Sequence, residues 1–168
     1  SVVRNLDYFS STVKNFLELS RIEKGEMKVN RAEFLLKEDI FDSAVDSFSK
    51  QAEEKRIVIK NLIPAGVRIA VDKDLMQVAV NNLIGNAVKY CAESGNIVIS
   101  VAETSHDIIK VEVYNDSEPI SPSDKEKLFN KFSRLGGPGT KKASGTGLGL
   151  FITREIITRH GGRIWLEA

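Results

Sequence analysis

The apolar residues of this chain change period at Gly25, and that switch divides it in two. Before Gly25, Val2, Leu6, Phe9, Val13 and Phe16 stand four, three, four and three residues apart, which is the a/d seam of a heptad helix. Polar residues fill the other face, and Gly25 supplies a helix stop. So narrow a seam suits a bundle or dimer helix; the alternative is a helix packed on its own domain, where a wider stripe is usual. After Gly25, helical and alternating patterns interleave. The fold class that follows is α+β: a two-layer α/β sandwich, with a mixed sheet covered on one face by three helices, behind a long N-terminal helix.

The elements can be read in order. Residues 27–36 read as a strand and residues 38–54 as a helix with Ile40, Phe41, Ala44, Val45 and Phe48 on one face. Short strands at 57–59 and 67–71 flank the turn Pro64-Ala65-Gly66. Asp72 caps a long helix running to about Cys91. Residues 96–102 and 108–114 alternate around the polar turn Thr104-Ser105-His106-Asp107, which predicts a hairpin. Residues 122–132 read as a polar helix, 133–146 as a long Gly-, Lys- and Ser-rich loop, 147–160 as a helix stopped by Gly161-Gly162, and 163–167 as a last strand.

Composition removes several classes of function. With 42% hydrophobic and 28% charged residues over 168 positions, this is the profile of a globular chain with a sizeable core. A formal net charge of +1 offers no one-sign field for nucleic acid or an anionic membrane, so neither is expected as a partner. The single cysteine, Cys91, excludes an internal disulfide and fits a reducing, cytoplasmic setting. No apolar run approaches the ~18 residues of a membrane helix, so the fragment is not expected in the membrane, although a longer parent could be anchored there.

Two segments carry chemistry. The first, Gly145-Thr146-Gly147-Leu148-Gly149-Leu150, runs into the apolar helix that begins near Phe151. Glycines allow close backbone approach, and the free N–H groups and positive dipole of a helix start suit phosphate. A flexible linker ending in a glycine cap would look the same. The segment is neither a P-loop, lacking Gly-Lys-Ser/Thr, nor a dinucleotide fingerprint, since its third glycine comes one residue early.

The second segment is Asn81-Asn82-Leu83-Ile84-Gly85-Asn86-Ala87-Val88-Lys89-Tyr90, on the helix after Asp72. Asn82, Asn86 and Lys89 share one face, while Met76, Val80, Leu83, Ile84 and Ala87 share the opposite arc. Three asparagines and a glycine within six positions make a poor helix, a local cost that hints at function. An amide oxygen with waters and phosphate oxygens fits the way Mg²⁺ is held, and Lys89 could add a point charge against phosphate. Solvated polar groups are the plainer alternative.

Together these segments closely resemble the nucleotide site of the GHKL superfamily, the Bergerat fold, and within it the sensor histidine kinases of two-component systems. The family's N-box, NLLxNAxKY, here reads NLIGNAVKY; its GTGLGLxIxxxIxxxHGGxI reads GTGLGLFITREIITRHGGRI; and the LLxLSRIExG that ends its dimerisation domain is matched by Phe16 to Gly25. The resemblance implies that residues 1–25 are the second helix of a dimerisation domain and 26–168 the ATP-binding catalytic domain. It implies that Asn86 binds Mg²⁺, that Asn82 sits near the phosphates, that Lys89 contacts phosphate and that Tyr90 meets the nucleoside. Phe129 to Arg134 occupies the place of the F-box, with Phe132 at the nucleotide and Arg134 a γ-phosphate contact. Gly145, Thr146, Gly147, Leu148, Gly149 and Leu150 would hold the phosphates beneath a lid at 135–144, where Lys141 or Lys142 would reach them.

The family's adenine box, DxGxGIP, is altered here. Asn115 falls at the aspartate position, Ser117 and Pro119 replace the two glycines, and Ile120 is kept. A neutral asparagine oxygen accepts a hydrogen bond more weakly than a carboxylate; Asp116, one position on, is a rival. Three functions compete: histidine kinase, ATPase of the Hsp90, MutL or gyrase type, and nucleotide-dependent pseudokinase. The ATPases place a water-activating glutamate where this chain has Asn82, which favours transfer over hydrolysis. Asn82, Lys89 and Arg134 are the expected catalytic set. The resemblance then implies γ-phosphoryl transfer from ATP to a histidine on a first dimerisation helix absent from this sequence, with a response-regulator receiver domain downstream and a homodimer in the full-length protein. His106 and His160 read as structural or solvated, so the fragment is expected to bind ATP without labelling itself. Its exposed seam is expected to pair through Leu6, Phe9, Val13 and Phe16.

Overall fold

The computed structural model describes residues 2–105, 108–133 and 145–167. They form two compact units, Asn30–Pro119 and Ser1–Val29 with Ile120–Ala168.

In the Asn30–Pro119 unit the order is β1 (Ala32–Leu35), a π-helical turn (Leu36–Phe41), α2 (Asp42–Glu54), β2 (Val58–Asn61), β3 (Arg68–Val71), α3 (Lys73–Tyr90), β4 (Asn96–Ser105) and β5 (Ile108–Asn115); α1 belongs to the other unit. β1 and β3 form an antiparallel pair. β2 pairs with β4 in parallel, and β4 with β5 antiparallel, so the three-stranded sheet is mixed. The period-2 alternation over 96–114 is the cause of that hairpin. Ile97 and Ile99 are fully buried, and Asn115 and Val113 lie opposite them in register on the same face. Helices α2 and α3 pack on each other, α2 against β2 and α3 against β5.

The long helix starts where expected. Asp72 accepts from the Leu75 N–H at 3.1 Å, a side-chain N-cap, and its second oxygen accepts from the Asn30 N–H at 3.0 Å, tying the cap to the entry of β1. Met76, Val80, Ile84 and Ala87 are buried as the pattern predicts, and Leu83 is half-buried. Gly85 has a packing reason. A β-carbon there would lie 2.9 Å from the tip of the Phe48 ring, so the glycine lets α2 lie close against α3.

The second unit holds α1 (Val2–Glu23), α4 (Pro122–Lys127) and α5 (Gly149–Arg159), with α1 packed on α5. Gly25 ends α1 in a Schellman pattern: φ is +68°, its N–H donates to Ile22 and the Glu26 N–H donates to Arg21. Gly161 and Gly162 end α5 in the same way, donating to Thr158 and Ile157. Leu19, Met27, Leu148, Ile152 and Ile156 are buried here. Among the described residues no helix is long and apolar enough to cross a membrane.

Small shifts of element ends aside, the helix expected over 38–54 opens as the π-helical turn, and three further segments differ from the sequence expectation. The first strand is only Ala32–Leu35, because residues 27–31 find no strand partner among the described residues. The helix predicted over 122–132 ends at Lys127, since its continuation must turn to reach Phe132, which has φ +59°. Residues 163–167 are irregular rather than a strand.

Candidate functional site

Helix α3 presents the asparagine face. Asn81 belongs to the scaffold: its side-chain oxygen accepts from Gln77 at 3.2 Å, and Gln77 also donates to the Ile40 carbonyl at 3.3 Å. Asn86 is different. The residue is half-buried, and its side-chain amide makes no hydrogen bond to a described residue, so a hard, neutral oxygen is presented without a partner among the described residues. Four residues earlier Asn82 is half-buried on the same face. At the helix end the Lys89 ammonium lies 4.8 Å over the Tyr90 ring, and Tyr90 is 44% exposed. A polar face with a neutral amide oxygen and a cation fits Mg²⁺ that is also held by phosphate oxygens. No group of three or more His, Cys, Asp or Glu side chains among the described residues could hold a metal ion.

The end of β5 bears on the choice between Asn115 and Asp116. Successive strand residues face opposite sides. Asn115 continues the row of buried Ile97 and Ile99 and half-buried Val113, and α3 packs against this strand. Asp116 is engaged elsewhere: one oxygen accepts from the Tyr114 hydroxyl at 2.8 Å, and the other from the Asn96 N–H at 2.8 Å and the Asn96 amide at 3.1 Å. The Asn96 backbone N–H, then the Tyr114 hydroxyl and the Asn96 amide, hold the Asp116 carboxyl below the usual carboxylate range. The same hydroxyl contact pushes the Tyr114 phenol above its ordinary value. Asp116 thus acts as a clasp between the hairpin strands, and that role was not visible in the sequence.

The glycine segment meets the helix start in the other unit. Leu148 occupies the N-cap position of α5 and supplies no side-chain cap. Thr146 instead turns its hydroxyl back to accept from the Leu148 N–H at 3.3 Å, and Thr153 donates to the Gly149 carbonyl at 2.8 Å. Gly147 has φ +71°, and a β-carbon there would stand 2.7 Å from the Phe132 backbone carbon and 2.8 Å from the Ser133 oxygen. The segment after the shortened α4 therefore lies directly against the glycines, with Phe132 itself 60% exposed. Lys131 links this segment to α1 and α5, with its ammonium 2.8 Å from Glu23 and 5.1 Å over the Phe151 ring. Ile120 is half-buried, and so are Gly145, Gly149 and Leu150; Leu148 is fully buried. His160 stands at the C-cap of α5, its Nδ1–H donating to the Ile156 carbonyl at 2.8 Å. Arg134, the 135–144 segment with Lys141 and Lys142, and His106 lie outside the described residues.

With these two sets of groups in view, the chain can be placed among known proteins. Residues 71–168 match the family described as histidine kinase-, DNA gyrase B-, and HSP90-like ATPase. The sensor histidine kinase WalK of Bacillus subtilis is 30% identical over 157 residues, a stretch that takes in 93% of this chain and 26% of WalK. The nucleotide-free catalytic domain of histidine kinase ThkA is 30% identical with a TM-score of 0.71, covering 83% of this chain and 88% of that one. ThkA solved in complex with its response regulator TrrA aligns at a TM-score of 0.70 and 26% identity, over 95% of this chain and 45% of that one. The chain belongs to the histidine kinase-, gyrase B- and HSP90-like ATPase family and, within it, to the catalytic domains of sensor histidine kinases. It spans about a quarter of the length of WalK.

Proposed function

We propose that this chain binds ATP with Mg²⁺ and, in its full-length parent, directs the γ-phosphoryl group to a histidine side chain. The observation that carries the reading is half-buried Asn86, whose side-chain amide has no hydrogen-bond partner among the described residues, on a helix that follows the family's nucleotide-binding pattern. Asn86 would hold the metal through its amide oxygen, with Asn82 beside the phosphates and Lys89 against their charge. Asn115 would accept from the adenine amino group, Tyr90 would cover the nucleoside, and Ile120 and Phe132 would contact the nucleotide. Gly145, Thr146, Gly147, Leu148, Gly149 and Leu150 would bring backbone N–H groups and the α5 dipole to the phosphates, and Arg134 would meet the γ-phosphate.

Bound Mg²⁺ would neutralise charge on the β- and γ-phosphate oxygens. Catalysis by the chain's own residues would then be positioning and charge complementarity by Asn82, Lys89 and Arg134. A histidine nitrogen would bond the γ-phosphorus as its bond to the bridging oxygen breaks, and ADP would leave. Asn82 cannot act as a general base near neutral pH, which supports transfer over hydrolysis.

The same reading assigns residues 1–25 to the second dimerisation helix and 26–168 to the catalytic domain. It includes a homodimer, an acceptor histidine on a separate first helix, a cytoplasmic location and a response-regulator receiver domain as partner; the ThkA–TrrA complex supports the last of these. The test is an ATP titration with and without Mg²⁺, repeated on Asn86→Ala. The variant is expected to lose the Mg²⁺-dependent part of the affinity, roughly ten-fold or more, the scale of one contact to a charged group. Unchanged Mg²⁺ dependence in a folded Asn86→Ala would remove Asn86 from the site.

A further inference from the structure

Lys55 is the C-cap residue of α2, yet its side chain serves a different helix. Its ammonium donates to the Val88 carbonyl at 2.7 Å, the Cys91 carbonyl at 2.9 Å and the Lys89 carbonyl at 3.0 Å. The three donors of one ammonium are thus spent on three carbonyls at the C-terminal end of α3, where acceptors have no intrahelical partner. The backbone of Lys55 is held as well: its N–H donates to Ala52 at 3.1 Å, and its carbonyl accepts from the Ser94 N–H at 2.9 Å.

The end of a helix that Lys55 covers carries about half a negative charge. Lys89 and Tyr90 stand on that last turn. A polyphosphate drawn to the Lys89 ammonium would also meet the negative end of the helix that carries it, and a cation on those carbonyls cancels that repulsion. The geometry points to Lys55 as a positioning residue for the phosphate end of the nucleotide. It fixes the last turn of α3 and neutralises its dipole, so that Lys89 acts on phosphate at full strength without Lys55 touching the ligand. This inference rests on the ATP reading above.

A purely structural Lys55 and an electrostatic one differ in how they treat ligand charge. The experiment measures affinities of the full chain for ATP, ADP and adenosine by calorimetry, in the wild type, Lys55→Gln and Lys55→Arg, with circular dichroism confirming the fold. Glutamine keeps a hydrogen-bond donor and removes the charge. Lys55→Gln is expected to weaken ATP roughly five-fold, the upper range for a charge at an exposed helix end, with a smaller loss for ADP and none for adenosine. Added salt should shrink the difference, and Lys55→Arg should keep the wild-type ratio of ATP to adenosine affinity. Equal losses for all three ligands, or no loss in a folded Lys55→Gln, would overturn the inference. Should Lys55→Gln not fold, a fall in the ATP to adenosine ratio in Lys55→Arg would overturn it instead. A wild-type chain that binds no ATP would refute the underlying reading rather than the role of Lys55.

Discussion

Gly147 and Phe132 meet backbone to backbone, and both sit at positive φ, +71° and +59°. A β-carbon on Gly147 would come within 2.7 Å of the Phe132 carbonyl carbon, so neither the dihedral nor the space admits a side chain. Gly147→Ala is expected to destabilise the chain by about 1–3 kcal/mol, read as a lower urea midpoint. Gly66 is the control. Its φ is +80° with nothing within 4 Å of a built β-carbon, so Gly66→Ala should lose only about 1 kcal/mol from the dihedral. Equal losses at the two sites would show that the contact with Phe132 contributes nothing.

Asn115 and Asp116 should separate by assay. Asn115→Ala is expected to lower ATP affinity roughly ten-fold, the worth of one buried hydrogen bond left unmade, with little change in melting temperature. Asp116→Ala should lower the melting temperature by several degrees, because the Asn96 and Tyr114 contacts go with it, while ATP affinity is largely kept. The reverse pattern would put adenine recognition on Asp116.

The Tyr114–Asp116 pair also makes a statement about pH. The Asp116 carboxyl is held low in the folded chain, so its contribution to stability is present above its unfolded value and lost as pH falls through the depressed folded one. The Tyr114 phenol is held high. Its contribution is complete below the ordinary phenol value and disappears as pH rises through the raised one. NMR titration of the Tyr114 ring should therefore show ionisation above the ordinary phenol range, moving down toward it in Asp116→Asn. An unchanged titration in that variant would dissociate the two groups.

Helix α1 bears on oligomeric state. Phe16 is 52% and Leu17 60% exposed, and Val13 is 40% exposed; the side chains of Leu6 and Phe9 lie outside the described residues. Exposed large apolar groups along one seam favour self-association. Light scattering at high concentration is expected to show a dimer that Phe16→Glu shifts toward monomer. A wild-type chain that stays monomeric at the same concentration would contradict this.

What could be read in advance follows from the range of each interaction. Periodicity reports which face of a segment is buried, so the β4–β5 hairpin, the core side of α3 and the glycine stops of α1 and α5 were legible. The capping of α3 by Asp72 was legible too, because the cap lies three residues from the N–H that it accepts from. Lys55 and Asp116 were not. The carbonyls that Lys55 covers lie 33–36 residues away and the Asn96 partner of Asp116 lies 20 away, and nothing local distinguishes a lysine that covers another helix from one in water. The π-helical turn at Leu36–Phe41 was hidden for a related reason: its apolar positions satisfy the ordinary helical period as well.

The parallel pairing of β2 with β4 sets an order of assembly. Val58 lies opposite Asn96, and the chain between them carries β3 and the whole of α3. The β4–β5 pair joins residues close in sequence, Ser105 with Ile108 at its near end, but the β2–β4 contact must close a long loop, and such closures are slow. During synthesis α3 emerges before the strand that completes its sheet. Until Asn96–Ile99 has left the ribosome and docked, Val58–Asn61 has no strand to pair with. The mixed sheet is thus among the last parts of the Asn30–Pro119 unit to close, and its parallel seam marks that unit as finished.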